Sequence, residues 1–388
     1  MDKETLSNYG WIVICVLVLA VMLALATPFG NFISTAIKST TQGLFDTNKN
    51  ALNSTGLINI GDQSFSDGTG GSDGGNQTTE VKREAGSIIP DGAKYTIKAT
   101  NTVLEGNGTN TFPDAPAQGD TYEEGDYKYT YYDSNNWKVM AKDKTKTSYG
   151  VILSEIAGKP ITNMSYTFEN CTSLTTAPVI PNNVTNMSYT FMSCTSLTTA
   201  PVIPSSVTNM SYTFNGCTSL TTAPTIPNSV TNMQSTFSGC TSLTTAPVIP
   251  SSVTNMSYTF ENCTSLTTAP TIPSSVKYMN KTFFGCSSLT TAPTIPNSVT
   301  DMGGTFYGCT SLTTAPTIPN SVTNMQSTFS GCTSLTGTIT INANINTSDS
   351  YYYNKCFYNT VKPIVLIGSS PNLELLKGTA NKGNVTVQ

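Results

Sequence analysis

The sequence predicts an α/β solenoid of short identical units, with an N-terminal membrane helix and a small β-rich capping region. Three observations predict it. CTSLTTAP begins at Cys171 and returns unchanged at Cys194, Cys217, Cys240, Cys263 and Cys309, and as CSSLTTAP at Cys286. These cysteines and Cys332 stand 23 residues apart without one insertion. Each unit also carries only about seven apolar residues. So few cannot form a core alone, and stacked neighbours must share one.

Residues 1–52 come first. Trp11 to Ala26 (WIVICVLVLAVMLALA) is an unbroken run of 16 apolar residues, and no charge lies between Glu4 and Lys38. About 20 such residues span a bilayer, so the segment is expected to be a membrane helix. A cleaved signal peptide is the alternative: Ala24-Leu25-Ala26 suits cleavage, but Asp2 and Glu4 make a poor basic leader. Phe29, Ile33, Ile37 and Leu44 then keep helical spacing to about Leu52, predicting an amphipathic continuation. The two halves together resemble the N-terminal helix of type IV pilins, with Gly10 in the place of the family's cleavage glycine. The chain departs from that family in having Cys15 where it carries Glu. The resemblance implies a structural subunit of a surface filament; a plain signal anchor with a helical stalk is the other reading.

Residues 53–80 are a linker. Gly61 to Thr79 (GDQSFSDGTGGSDGGNQTT) is rich in Gly, Ser and Asp and lacks periodicity, the composition of a flexible tether. Residues 81–160 read as a β-rich N-terminal cap. Ala93 to Ala99 is strand-like. Asp126 to Tyr132 alternates Tyr127, Tyr129 and Tyr131 on one face, the Asp133–Asn136 stretch supplies turn residues, and Trp137 to Ala141 can return as its partner. The tyrosines are expected to cover the open end of the solenoid, since a terminal unit exposes an apolar edge. Ser148 to Lys159 (SYGVILSEIAGK) is expected to be a helix capped by Ser148.

Residues 161–335 are the repeat, V-T-N-M-x-x-T-F-x-x-C-T-S-L-T-T-A-P-x-I-P-x-S. The spacing stacks Phe168, Phe191, Phe214 and Phe237 on one another, Leu174, Leu197, Leu220 and Leu243 likewise, and the cysteines likewise. A 23-residue period with Leu-x-x-small-x-x-Ile is a leucine-rich-repeat signature. Within a unit, Leu-Thr-Thr-Ala is expected to enter a strand that Pro178 and its copies interrupt. Val-Thr-Asn-Met-x-x-Thr-Phe is expected to form a short helix or turn with Met and Phe inward. Residues 336–388 read as a C-terminal cap, with Cys356 following Cys332 at 24 residues, a strand at Pro363 to Gly368, a short helix at Pro371 to Lys377 and a last strand at Asn384 to Gln388. No terminal sorting motif is seen, so anchoring is assigned to the N-terminus.

From Ile180 to Leu335 the motif I-P-x-S-V-T-x-M-x-x-x-F-x-x-C-x-S-L-T resembles the BspA-like leucine-rich-repeat surface proteins of bacteria. The resemblance implies cell-surface binding or adhesion to a protein or glycan, with no catalytic site to carry over. The proline after Ala is this chain's departure from the family, and it puts strand length in question.

Composition narrows the function. The 388 residues include no histidine, which removes Ser-His-Asp chemistry, histidine metal ligands and histidine pH switching. Only 11% of residues are charged and the net charge is −4, so no basic patch calls for nucleic acid. No enzyme activity, cofactor or metal is expected. The in-register cysteines are read as buried free thiols, because parallel Cβ vectors suit disulfides poorly. Asn163-Met-Ser and Asn170-Cys-Thr match glycosylation sequons but fall on repeat positions. The candidate binding surface is the varying second residue after Met: Tyr166, Tyr189, Tyr212 and Tyr258 against Ser235, Lys281, Gly304 and Ser327.

Overall fold

In a computed structural model, the residues described are 80–388 except Ser134 and Asn346. The expected membrane helix, its amphipathic continuation and nearly all of the linker lie outside them. Among the described residues, no helix is long and apolar enough to cross a membrane.

The tyrosine hairpin forms where its alternation places it. β5 (Tyr127–Asp133) pairs antiparallel with β6 (Asn136–Ala141), setting Tyr127 opposite Ala141, Tyr129 opposite Val139 and Tyr131 opposite Trp137. Around it lie β1 (Lys82–Arg83), β2 (Lys94–Ile97), β3 (Thr102–Glu105), β4 (Thr121–Glu124), β7 (Glu155–Ile156) and β8 (Lys159–Asn163). The sheet order is β1-β7-β8-β6-β5-β4-β2-β3. The alternation works because one face is core: Tyr127, Tyr129, Tyr131, Trp137 and Val139 are all buried. Buried phenols need partners. Tyr129 Oη accepts from Leu153 N at 3.1 Å, and Tyr127 Oη donates to the Gly150 carbonyl at 2.8 Å.

The sheet runs directly into the repeats. β8 lies parallel to β6 and delivers the chain to Met164. Ala141 N donates to the Thr167 carbonyl, and Thr167 Oγ1 to the Val139 carbonyl at 2.8 Å. The rings of Tyr149 and Tyr127 lie 4.9 Å and 6.2 Å from that of Phe168. The first unit's apolar edge is thus covered by aromatic side chains.

The helix expected over Ser148–Lys159 is not there. The segment is extended, ending in β7 and β8 joined through Ala157 and Gly158 at φ 50° and 69°. Two consecutive positive φ values make a tight hairpin, not a helix. Ile152, Leu153 and Ile156 are buried, and their spacing imitates a helix face. Pairing of β7 with both β1 and β8 decides the matter: strand partners from distant sequence override the local pattern.

In the repeats every ladder forms. Phe168, Phe191, Phe214 and Phe237, Leu174, Leu197, Leu220 and Leu243, and Met, Val and Cys at their copies are all 0% exposed. Successive Phe rings are parallel within 3–8° from Phe168 to Phe329, with centroids 5.3–5.8 Å apart. The α/β expectation needs correction, because the repeat units contain no helix among the described residues. Met164 to Cys171 is instead a chain of overlapping turns, with Thr167 N donating to Met164 O, Glu169 N to Tyr166 O and Cys171 N to Phe168 O. Residues at Tyr166 and Asn170 adopt φ 64° and 60°, a left-handed conformation that no α-helix admits. Their N–H groups, and those of Met164 and Phe168, donate to the next unit at 2.8–3.2 Å. The Leu-Thr-Thr-Ala strand shrinks to isolated parallel bridges such as Thr176↔Thr199 and Thr199↔Thr222. Pro178 and its copies have no N–H with which to continue the ladder.

At the C-terminus, β9 (Gly337–Thr340), β10 (Ile364–Ile367) and β11 (Val385–Val387) make a parallel sheet in the order β11-β10-β9, and α1 (Leu373–Lys377) packs Leu373 and Leu376 inward. The placement of Cys356 by a 24-residue step is wrong. Phe329 stacks on Phe357 at 5.5 Å, and Phe329 N donates to the Cys356 carbonyl as Phe306 N does to Thr328. The last step is therefore 28 residues. Cys356 stands in the buried threonine row, while Thr360 takes the cysteine place; both are fully buried.

Candidate functional site

The turn chain sets three adjacent rows along one side of the repeats. One begins at Ser165, one at Tyr166 and one at Glu169, and each recurs at the 23-residue period. The Asn that precedes most of the turn chains sets them up. Asn163 Oδ1 accepts from Ser165 N at 2.8 Å, Asn186 Oδ1 from Ser188 N at 2.9 Å and Asn209 Oδ1 from Ser211 N at 2.9 Å. Such a side-chain-closed turn starts the chain reversal locally. The sequon asparagine Asn163 is thereby engaged, and Asn170 holds a left-handed corner.

The row of Tyr166 is left-handed throughout: φ is 64° at Tyr166, 58° at Tyr189, 57° at Tyr212, 53° at Ser235, 60° at Tyr258, 51° at Lys281, 63° at Gly304 and 52° at Ser327. A bulky residue there costs about 1–2 kcal/mol. The backbone bonds on either side hold it in place.

Three of the four candidate tyrosines come together. Tyr166 stacks on Tyr189, and Tyr189 on Tyr212, each at 4.6 Å with rings 7° and 5° from parallel. Tyr166 is 38% exposed and the other two are half-buried. Burial pushes the Tyr189 phenol up, so it stays a neutral hydroxyl at neutral pH. Lys138 Nζ lies 5.4 Å above the Tyr166 ring and closes the outer end of the stack. Tyr258 is separated from this stack by Ser235 and pairs instead with Lys281, whose Nζ lies 5.2 Å from its ring. A second surface stack went unnoticed in the sequence: Phe284 on Tyr307 at 4.5 Å, in the row of Glu169 and Glu261. Only the period reveals it, since that row also holds Met192, Asn215 and Ser238.

The other varying position, after Ala-Pro, is surface. Val179, Val202 and Val248 are 58%, 85% and 88% exposed. The cysteine row is interior. Cys171 through Cys332 and Cys356 are free and fully buried. Each thiol from Cys194 to Cys332 donates to the Phe carbonyl of the preceding unit, as Cys194 Sγ does to Phe168 O at 3.1 Å. Cys171 meets Tyr149 Oη at 3.2 Å. Burial pushes the Cys217 thiol up to about 12, and the others also upward, which leaves no reactive thiolate at neutral pH. Beside them runs a buried threonine row that the sequence reading passed over. Thr190 Oγ1 lies 2.9 Å from Met164 O and 2.7 Å from Met187 O, tying two units together. Among the described residues, no group of three or more His, Cys, Asp or Glu could hold a metal ion.

Comparison with known proteins follows the repeats. The model of the BspA type leucine rich repeat region matches six copies, over residues 159–267 and 237–360. A search of curated proteins finds none that matches. Among solved structures, a leucine-rich repeat protein from Bacteroides ovatus is 18% identical, covering 66% of this chain and 80% of its own, with a TM-score of 0.42. A leucine rich cell surface protein from Faecalibacterium prausnitzii is 18% identical over 71% of this chain and 95% of its own, at 0.38. The leucine rich repeat protein of T. pallidum is 20% identical over 56% and 82%, at 0.27. With its matched residues spanning more than half of the sequence, the chain belongs to the BspA type leucine-rich-repeat family.

Proposed function

We propose that this protein is a non-catalytic binding protein displayed at the cell surface, held by its N-terminal apolar segment and recognising a protein or glycan partner through the turn face. One observation carries the reading: the parallel stack of Tyr166, Tyr189 and Tyr212 at 4.6 Å on the surface, in backbone positions that ordinarily exclude large side chains. Tyrosine supplies a rigid, amphipathic contact area at low entropic cost, and stacked copies present it as one strip. The row position itself does not require a ring, because Ser235 and Ser327 fill the same row. The absence of histidine from the chain removes the commonest acid–base chemistry and favours binding over turnover.

The test replaces Tyr166, Tyr189 and Tyr212 together with Ser in the full chain and compares surface capture by wild type and variant. Both proteins should be removed from intact cells by added protease. The variant should fold as wild type does, yet recover about a tenth or less of the captured partner. Undiminished capture sinks the role of the stack, and protection from protease on intact cells sinks surface display.

A further inference from the structure

The three rows of the turn side are interrupted at one place. In the unit Asp301–Cys309 (DMGGTFYGC) the first two rows both carry glycine, Gly303 and Gly304, where other units carry Ser, Gln or Asn followed by Tyr, Ser or Lys. At this unit lies a depression of about 360 Å³, open to solvent on one side. This is within the roughly 300–1,000 Å³ of small-ligand clefts.

Its lining is chemically specific. Gly303 and Gly304 line it from below, and the side chains of Asn280 and Lys281 lean over them, Asn280 Nδ2 3.0 Å from where a Cβ of Gly303 would stand and Lys281 Cγ 3.1 Å from that of Gly304. One wall is the stacked pair Phe284 and Tyr307, and Tyr258 and Tyr351 add two further aromatic surfaces. Lys281 stands on the rim with Nζ 5.2 Å from the Tyr258 ring and 5.4 Å from the Phe284 ring. It forms no ion pair with any described acidic residue. Asp301, in the unit of the two glycines, is committed elsewhere: its Oδ1 accepts from Gly303 N at 2.8 Å and from Asn324 Nδ2 at 3.0 Å. Asn280 and Gln326 bring two side-chain amides that make no hydrogen bond with described residues. Each amide is both donor and acceptor.

We propose that this depression binds a carboxylate-bearing sugar. A pyranose has an apolar C–H face for the aromatic wall and equatorial hydroxyls for the two amides. A carboxylate on the ring answers the lysine with a charge-assisted bond. An acidic peptide would satisfy the lysine alone, leaving the aromatic pair Phe284 and Tyr307 without an apolar ring against it. The assignment deepens the proposed binding function and takes the glycan branch of it. It uses residues separate from the Tyr166–Tyr212 stack, so each can fail alone.

The experiment is calorimetric titration of the full purified chain with a galacturonic acid tetrasaccharide, its methyl ester and a glutamate-rich peptide. Wild type should bind the acid about tenfold or more tightly than the ester, the discrimination one charge-assisted bond supplies. Lys281→Met should abolish that preference. Gly304→Tyr should abolish binding by filling the depression, and it should fold, since Tyr258 holds the same row position at φ 60°. The triple Ser variant of Tyr166, Tyr189 and Tyr212 should titrate as wild type. Failure of wild type to bind the acid at millimolar concentration overturns the proposal. So does binding that survives Gly304→Tyr, or a preference for the peptide over the sugar. Loss of sugar binding in the triple variant moves the site to the tyrosine stack and also overturns it.

Discussion

At the scale of the residue, this fold asks for side chains that accept two unusual conditions: left-handed backbone at the surface and hydrogen-bonded polarity in the core. Asp301 shows how closely the second is set. Its row is otherwise Asn at 163, 186, 209, 232, 255 and 324, and Tyr at 278. Burial raises the Asp301 carboxyl above its ordinary value of 3.8, against the bonds from Gly303 and Asn324 that lower it. A raised folded-state value means the carboxyl supports folding fully below pH 3.8 and loses that support as pH rises through its folded value. Asp301→Asn keeps the acceptor for Gly303 N without a charge to bury. Its melting temperature should therefore exceed wild type at pH 7, and the gain should fade below about pH 4. Thermal melts at the two pH values check this; a gain that is equal at both would mean that charge burial is not the cause.

At the scale of the element, the unit is held by its neighbours more than by itself. Within a unit the chain makes turns of single hydrogen bonds, while the Phe, Leu, Met, Val and Cys rows of Phe168, Leu174, Met164, Val184 and Cys171 are buried against copies in neighbouring units. Backbone bonds join units on the turn side, as Gly216 N to Ser238 O at 2.7 Å, and more loosely on the threonine side, as Thr244 N to Thr221 O at 3.5 Å. Such arrays behave as sums of nearest-neighbour terms. Removing residues 195–217, one whole period, restores every row one step on. The shortened chain should melt cooperatively, a few degrees below wild type. Removing 195–214 instead puts Phe237 on Cys194 and Cys217 on Leu174, and should abolish the cooperative transition. Circular dichroism melts of the two deletions decide it, and equal behaviour would refute stacking as the source of stability.

At the scale of the whole molecule, one continuous core runs from Ile89 in the first sheet to Val385 in the last. The sheet of β1–β8 closes one end with Tyr127 and Tyr149, and β9–β11 with α1 closes the other, so no ladder ends in water. This closure also protects the thiols. Cys171 through Cys332 and Cys356, nine in all, are free. The native chain should react with a thiol reagent at these positions only on the timescale of unfolding, because the thiolate is both buried and disfavoured. In denaturant all nine should react at once, with Cys15 in addition. Disulfide-linked fragments in a non-reducing digest would sink this account.

The period alone determined the ladders, their inward residues and the stacking order, because identical side chains at a fixed step fall into register whatever the unit's local shape. The alternation of Tyr127, Tyr129 and Tyr131 likewise determined the hairpin and its buried face, since strand geometry has period two. Other features were decided only in three dimensions. The helix expected at Ser148–Lys159 gave way to strands because its partners come from residues 82–83 and 159–160. The helix or turn of each unit became left-handed corners, because those corners aim N–H groups at the next unit. Cys356 lost its expected row because Phe357, not the cysteine spacing, sets the last unit's register. The same holds for the surface. Tyr166, Tyr189, Tyr212 and Tyr258 were legible as one varying position, yet only stacking geometry separates the first three from the fourth. The depression beside Gly303 and Gly304 arises from residues that five successive units bring together, from Tyr258 to Tyr351, a proximity that no single unit of the sequence contains.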